Sequence, residues 1–206
     1  MPHIALLGDS VIDNKAYVGG GPDVAEQLRM LIPKSWQVSR LAVDGALIAD
    51  VLQQLAAVPA EATHLIISAG GNDALRESSV LTAGANSLAQ ALTLLANVQS
   101  RFRRDYAHLL QGAARFKGQV AVCTIYDPRF PDATQRQLGS LALSVLNDVI
   151  TREAFARDLA PLDLRVMFND DSDFANAIEP SVQGGMKLAR TILRFVSGDT
   201  QARVLR

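Results

Sequence analysis

The chain has 206 residues, and 49% of them are hydrophobic, which is enough to build the core of one domain. Its 20 Lys and Arg residues oppose 21 Asp and Glu residues, so the net charge is -1. A chain without excess positive charge has no strong field for nucleic acid or for an anionic lipid surface. We therefore expect a single domain over residues 1–206 that binds neither nucleic acid nor membranes.

The N-terminal segment and the single cysteine lead to two further expectations. The first ten residues lack the basic start and long apolar run of a secretory signal. Cys123 has no second cysteine to pair with, and its apolar neighbours place it in a buried strand. We expect a cytoplasmic protein, and the sequence leaves its oligomeric state open.

Short apolar runs alternate with longer amphipathic stretches along the chain. The runs predict strands at 3–7, 36–42, 63–68, 119–126 and 164–168, and the stretches predict helices at 24–31, 48–56, 86–114, 141–156 and 184–196. Each strand after the first follows a helix, and such crossovers between parallel strands are right-handed. The pattern predicts an α/β fold with a doubly wound parallel sheet of about five strands and helices on both faces.

Three loops rich in small and polar residues follow successive predicted strands. They contain Ser10, Gly45 and Asn72, which we expect on the edge of the sheet where the strands end and ligands bind. A serine there is a nucleophile if a base takes its proton, and a glycine N–H and an asparagine amide can hold an oxyanion. Each loop alone is equally typical of an ordinary turn, because Gly, Asp, Asn and Ser are the usual turn formers.

The loops together carry a stronger signal than each loop alone. Segments 8–10, 43–46, 70–73 and 178–185 read Gly-Asp-Ser, Val-Asp-Gly-Ala, Gly-Gly-Asn-Asp and Ile-Glu-Pro-Ser-Val-Gln-Gly-Gly. In order and spacing they resemble the four sequence blocks of the SGNH, or GDSL-type, serine hydrolase family. The resemblance implies a three-layer, flavodoxin-like fold, Ser10 as nucleophile, and an oxyanion hole from the amides of Ser10 and Gly45 and the side chain of Asn72. It also implies hydrolysis of esters or acyl groups without a metal.

The fourth block departs from the family pattern. The family places Asp-x-x-His before Pro-Ser, whereas this chain has Asn176-Ala-Ile-Glu179. None of the three histidines is a ready substitute for the missing base. His3 and His64 begin strands whose other ends carry the site, about 20 Å away at roughly 3.3 Å per residue, and His108 lies within the longest helix.

Three interpretations of the missing histidine remain open. Glu179 is the base, with its pKa raised by burial or by a neighbour such as Asp13, Asp44 or Asp173. Alternatively, the chain is a pseudoenzyme that keeps a ligand pocket without the chemistry. Thirdly, Ser10 and the oxyanion hole alone give slow hydrolysis. A purely structural role is equally open, because Glu179 precedes the last helix and suits its N-terminus, with Ser181 or Gln183 bonding the backbone amides.

Further acidic residues lie in or beside the same loops. Asp9, Asp13, Asp73 and Asp127 are predicted to contact the substrate, although Asp127 is also typical of a turn. The acidic run at 169–173 lacks the glycine and glutamate of a calcium loop. We expect no metal or cofactor.

The leading hypothesis is a serine hydrolase that cleaves small carboxylic esters or acylated small molecules. In it, Ser10 attacks the carbonyl, Gly45 and Asn72 stabilise the oxyanion, and Glu179 replaces the usual histidine. The alternative is a binding protein on the same fold that holds a ligand without turnover.

Overall fold

The computed structural model describes residues 1–198. Its strands are β1 (His3–Gly8), β2 (Gln37–Arg40), β3 (His64–Ser68), β4 (Gln119–Cys123) and β5 (Ala160–Leu162). They form a fully parallel sheet in the order β2-β1-β3-β4-β5. The predicted α/β fold with a doubly wound sheet of five strands is confirmed.

The α-helices of this part of the chain are α1 (Val24–Leu31), α2 (Ile48–Gln54), α3 (Gly71–Arg76), α4 (Leu88–Ala113), α5 (Ala133–Phe155), α6 (Leu164–Met167) and α7 (Val182–Val196). Helices α2, α4 and α5 cover one face of the sheet, and α1, α6 and α7 cover the other. Alternate residues of β1 enter different cores, with Ala5 and Leu7 on the first face and Ile4 and Leu6 on the second. None of these helices is long and apolar enough to cross a membrane.

The strand register brings the carboxyl ends of the central strands to one edge. Gly8 of β1 pairs with Ser68 of β3, and Ile67 pairs with Val122 of β4. The chain runs from β1 outward to β2 and then returns past β1 to β3, so the strand order reverses between β1 and β3. A crevice opens at such a reversal and serves as the usual ligand site of open α/β sheets.

The strand predicted at 164–168 is wrong. The fifth strand lies earlier, at Ala160–Leu162, and residues Leu164–Met167 form a short helix instead. Asp163 begins this helix because its carboxylate accepts a hydrogen bond from the Arg165 N–H. β5 contains Pro161, which a strand tolerates here because β5 lies at the edge of the sheet and has a neighbour on one side only.

Several boundaries also differ from the predictions. Helix α5 begins eight residues before the predicted start, because Asp132 caps it through the Gln135 N–H while its first turns are exposed and carry no apolar stripe. The third loop is partly helical, since α3 begins at Gly71. Strands β2 and β4 are shorter than predicted, whereas α1 has the predicted bounds and Cys123 is buried in β4 as expected.

Candidate active site

Ser10 is positioned by the tight end of β1. Gly8 has a φ of 144°, and a Cβ at this position would collide with the carbonyl oxygen of Ser68 on β3. The side chain of Gln54 bonds both the N–H (2.8 Å) and the C=O (3.0 Å) of Gly8. The strand end is therefore fixed on both sides, which defines where Ser10 emerges.

The residues after Ser10 form a helical turn. The carbonyl of Asp9 accepts hydrogen bonds from the N–H groups of Ile12 (3.1 Å) and Asp13 (2.9 Å). Ser10 itself is 7% exposed. Among the hydrogen bonds of residues 1–198, its N–H has no protein acceptor, so it remains free to donate to a ligand.

The second and third loops supply two further donors. Gly45 is exposed and has a φ of 78°, a left-handed conformation that favours glycine. Asn72, near the start of α3, donates from Nδ2 to the carbonyl of Ala46 at 3.0 Å. This bond places the Asn72 amide one residue from Gly45 and uses one of its two N–H hydrogens. In the described part of the chain, the Gly45 N–H also has no protein acceptor.

Glu179 lies in a tightly pinned loop before α7. Phe174 and Pro180 form an antiparallel bridge, and the Ala175 N–H donates to the Glu179 carbonyl at 2.8 Å. The Asn176 side-chain oxygen accepts from the N–H groups of Ile178 (2.9 Å) and Glu179 (3.0 Å). Asn176 therefore fixes the backbone that carries Glu179.

Two residues that the sequence did not single out anchor this loop. The Tyr126 hydroxyl donates to the Ile178 carbonyl, and the Asn14 amide donates to the Pro180 carbonyl at 3.2 Å. Asn14 also accepts from the Val24 N–H at the start of α1. No local pattern points to these contacts, because the partners lie 52 and 166 residues apart in sequence.

The Glu179 carboxyl is the least satisfied polar group of the site. It is 7% exposed, and its Oε2 atom is buried without a hydrogen-bond partner in the described residues. Burial raises its pKa, the Ser10 hydroxyl opposes the rise by hydrogen bonding, and the nearby negative charge of Asp44 adds to it. Ser181, rather than Glu179, caps α7 through the N–H groups of Gln183 and Gly184. The structure therefore assigns Glu179 no helix-capping role.

Asp9 is a second buried carboxyl at the same place. It is 2% exposed, and its Oδ1 accepts from the Val11 N–H (3.2 Å) and the Ser68 hydroxyl (3.4 Å). Burial raises its pKa to about 7, and the charge of Glu179 contributes to the rise. Two acidic groups with raised pKa values thus lie at the Ser10 turn.

Ser10, Asp9, Asn72 and Glu179 all line a cavity of about 720 Å³. Most of its wall is apolar and comes from α3 and the turn after it, α4, the segment after β4, and α5; these residues include Leu75, Val80, Leu81, Leu95, Val98, Ile125, Phe130, Leu138, Leu143 and Leu146. The arrangement suits a ligand with a polar reacting group and an apolar body.

The other predicted substrate contacts lie outside the cavity lining. Asp13 pairs with Arg40 and accepts from the Asp44 N–H at 3.1 Å. Asp73 accepts from the Ile48 N–H at 3.0 Å, at the start of α2. Asp127 is half-buried after β4. Gly45 is likewise absent from the lining, and the carbonyl of its neighbour Ala46 accepts the hydrogen bond from the Asn72 amide.

The three histidines lie away from Ser10. His3 bonds the Ser39 hydroxyl and His64 bonds the Thr63 hydroxyl, both at the amino ends of their strands. His108 is exposed on α4. Within residues 1–198, no cluster of His, Cys, Asp or Glu side chains is arranged to hold a metal ion.

Comparison with known proteins decides the family. A model of the GDSL-like lipase/acylhydrolase family matches residues 6–184. The chain belongs to this family. No curated protein sequence matches it. The matched region contains the first three blocks noted in the sequence and all but the last residue of the fourth, including Glu179.

Solved structures of lipases and esterases share the fold. The extracellular lipase of Streptomyces rimosus is 18% identical, with a TM-score of 0.67 over 95% of this chain and 99% of that one. The phospholipase A1 of Streptomyces albidoflavus is 16% identical, with a TM-score of 0.65 over 93% and 98%. An acetyl xylan esterase of Geobacillus stearothermophilus is 16% identical, with a TM-score of 0.65 over 100% and 97%. At these identities the likeness establishes the fold of this GDSL-like chain.

Proposed function

We propose that this GDSL-like protein hydrolyses carboxylic esters with an apolar acyl group, with Ser10 as nucleophile and Glu179 as general base. The observation that carries the proposal is the Glu179 carboxyl, which is buried beside the Ser10 hydroxyl with one oxygen unpartnered. A raised pKa makes a carboxylate a stronger base than it is in water. Family membership supports ester hydrolysis in general.

In the acylation step, the Ser10 hydroxyl attacks the carbonyl carbon while Glu179 takes its proton. The resulting oxyanion accepts hydrogen bonds from the N–H groups of Ser10 and Gly45 and from the second Nδ2 hydrogen of Asn72. The tetrahedral intermediate then collapses, the bond from carbon to the alcohol oxygen breaks, and Glu179 returns the proton to the leaving alcohol.

In the deacylation step, a water molecule attacks the acylated Ser10 and Glu179 takes the water's proton. Collapse of this second intermediate frees the Ser10 oxygen, which recovers the proton, and the carboxylic acid leaves. Glu179 is thus used as a base and then as an acid in both steps.

The cavity indicates which half of the ester is apolar. Its wall is mostly aliphatic and its volume of about 720 Å³ exceeds what an acetyl group fills. We therefore assign the cavity to the acyl chain and the exposed side of the site, near Tyr17 and Asp44, to the alcohol. Tyr17 donates a hydrogen bond to Asp44 at 2.9 Å there.

The test compares hydrolysis of nitrophenyl acetate and nitrophenyl octanoate by the wild type, Ser10→Ala and Glu179→Gln. We expect a preference for octanoate, loss of turnover in Ser10→Ala, and a fall of about 10²–10⁴-fold in kcat for Glu179→Gln, the usual contribution of a general base. Ser100→Ala and Glu153→Gln are matched controls, since Ser100 bonds only its own helix and Glu153 pairs with arginines away from the cavity.

A phosphonate that labels active serines separates the remaining alternatives. Labelling of Ser10 together with full dependence on Glu179 supports the proposal. Wild-type turnover that survives Glu179→Gln unchanged rejects Glu179 as the base and favours slow hydrolysis by Ser10 and the oxyanion donors alone. Saturable binding of octanoate with neither turnover nor labelling identifies a binding protein.

A further inference from the structure

Asp9 and Glu179 form a pair of buried carboxyl groups without a cation. Asp9 follows β1 and Glu179 precedes α7, yet both line the cavity at Ser10, and they are 2% and 7% exposed. Among the ion pairs of residues 1–198, none includes either group. The nearest elements place their arginines elsewhere, since Arg40 pairs with Asp13 and Asp23 and Arg129 pairs with Asp171.

None of the groups that face Asp9 in the described residues is a cation that could offset its negative charge. On β3 the Ser68 hydroxyl donates to its Oδ1 atom, and a Cβ placed at Gly71 of α3 would lie 3.8 Å from Oδ2. Tyr106 of α4, Cys123 of β4 and Tyr126 complete the titratable surroundings. Burial raises the pKa of each phenol and of the thiol, so these three groups stay neutral when Asp9 ionises.

Two carboxylates so placed do not ionise together easily. Burial is the main cause that raises the pKa of Asp9 to about 7, and the charged form of Glu179 raises it further. Glu179 has contact with the Ser10 hydroxyl, which favours its charged form. Asp9 is the more deeply buried of the two, at 2% against 7% exposure, which favours the last proton of the pair on Asp9.

We propose, building on the function above, that Asp9 is a positioning residue that must stay protonated, because the Ser10 site tolerates one carboxylate charge and not two. Below pH 7, Glu179 is then the charged base and Asp9 is mostly neutral. When Asp9 also loses its proton, a second negative charge lies beside the place where the oxyanion forms. That charge opposes the oxyanion in the low-dielectric interior, so turnover falls.

The proposal predicts a bell-shaped dependence of kcat/KM on pH in the wild type. The acid limb reports protonation of Glu179, and the alkaline limb reports ionisation of Asp9. A single ionisation near pH 7 that inactivates the site lowers kcat/KM at pH 9 by about 100-fold if it is complete, and we expect at least tenfold. The kcat/KM at each pH is measured from the acid released from a tributyrin-type substrate, which is titrated with the background subtracted.

Three variants assign the alkaline limb. Asp9→Asn cannot ionise and keeps an oxygen for the Val11 N–H, so we expect kcat/KM at pH 9 to equal its value at pH 7. Asp9→Glu keeps an ionisable group, and we expect the alkaline limb to return. Asp105→Asn, an exposed acid on α4 paired with Arg104, makes the same change in net charge and is expected to keep the wild-type profile.

The outcomes separate this inference from the proposed function. An alkaline limb that persists in Asp9→Asn, or a wild-type profile that stays flat to pH 9, overturns the role of Asp9 and leaves Glu179 as the base. A Glu179→Gln variant with full activity rejects Glu179 as the base, which is the part of the proposed function on which this inference rests. Circular dichroism of the wild type across the same pH range shows whether the alkaline fall is unfolding, which also overturns the inference.

Discussion

Asp173 and Glu179 lie six residues apart in one loop, and both are buried, but the fold treats their charges differently. Asp173 is fully buried, and its Oδ2 atom accepts from Lys187 at 2.7 Å and from the Asp170 N–H at 3.0 Å. Glu179 has no cation in the described residues, and its Oε2 atom, like the Oδ1 atom of Asp173, is buried without a hydrogen-bond partner. The contrast teaches that a cation accompanies the carboxyl that holds the loop together and is absent from the carboxyl at the cavity.

The difference has an energetic meaning. A buried charge without a partner destabilises the folded state, and such groups persist mainly where they are used. Asp173 also accepts the Ser181 N–H through its carbonyl, so it links the loop to the start of α7. The Asp173 side chain accepts a backbone N–H, from Asp170, whereas the Glu179 side chain accepts none in the described residues. Removal of each charge should therefore move the free energy of unfolding in opposite directions.

The largest effect is expected when the cation of Asp173 is removed. Lys187→Met leaves Asp173 buried and charged, and breaking such a pair costs about 3 kcal/mol of unfolding free energy. Urea unfolding at pH 8 measures the loss. The double variant Lys187→Met with Asp173→Asn should recover at least half of it, and Lys34→Met, an exposed lysine, should lose almost nothing. If Lys187→Met alone is as stable as the wild type, the Lys187 cation does not stabilise the loop and the contrast between Asp173 and Glu179 fails.

Glu179→Gln is expected to raise the free energy of unfolding, by less than Lys187→Met lowers it. The pKa of Glu179 is raised in the folded protein. Its contribution to the free energy of unfolding is therefore most favourable at low pH and is lost as pH rises through the folded-state pKa. A glutamine has no such titration. The variant should therefore match the wild type at pH 4 and be more stable by about 1 kcal/mol at pH 8, as is common when a catalytic group is removed. Lower stability at pH 8 would mean that Glu179 supports the fold.

The sequence predicted which loops meet at the site but not this contrast, and the part that it did not predict has a physical cause. The loops after successive strands predicted that Ser10 and Asn72 lie on one sheet edge, and the structure places both at the cavity. Their chemical roles, with those of Gly45 and Glu179, stay predictions. The contacts of Tyr126 and Asn14 with the Glu179 loop depend on long-range packing, which no local pattern encodes.

The acidic residues also show that long-range partners cannot be predicted from local sequence. Asp9, Asp13, Asp73 and Asp127 all lie near the predicted edge, but only Asp9 lines the cavity. Sequence gives the position of each carboxyl along the chain and not its partner. Asp13 meets Arg40 and Asp73 meets the backbone of α2, so both contribute to structure at the border of the site. The fifth strand was misplaced because β5 has only three residues, too few to show the alternation of a strand in the sequence.

The smallest effect on stability is expected at Asn176, which orders the loop between the two carboxyls. Asn176→Ala removes the acceptor of the Ile178 and Glu179 N–H groups, and because the residue is exposed the loss should be only about 0.5 kcal/mol. The same loosening lets Glu179 move away from Ser10, so kcat should fall several-fold with KM nearly unchanged. Asn176→Asp keeps the acceptor oxygen and should restore kcat. If Asn176→Ala and Asn176→Asp are equally slow, Asn176 acts through its amide rather than through the backbone of Glu179.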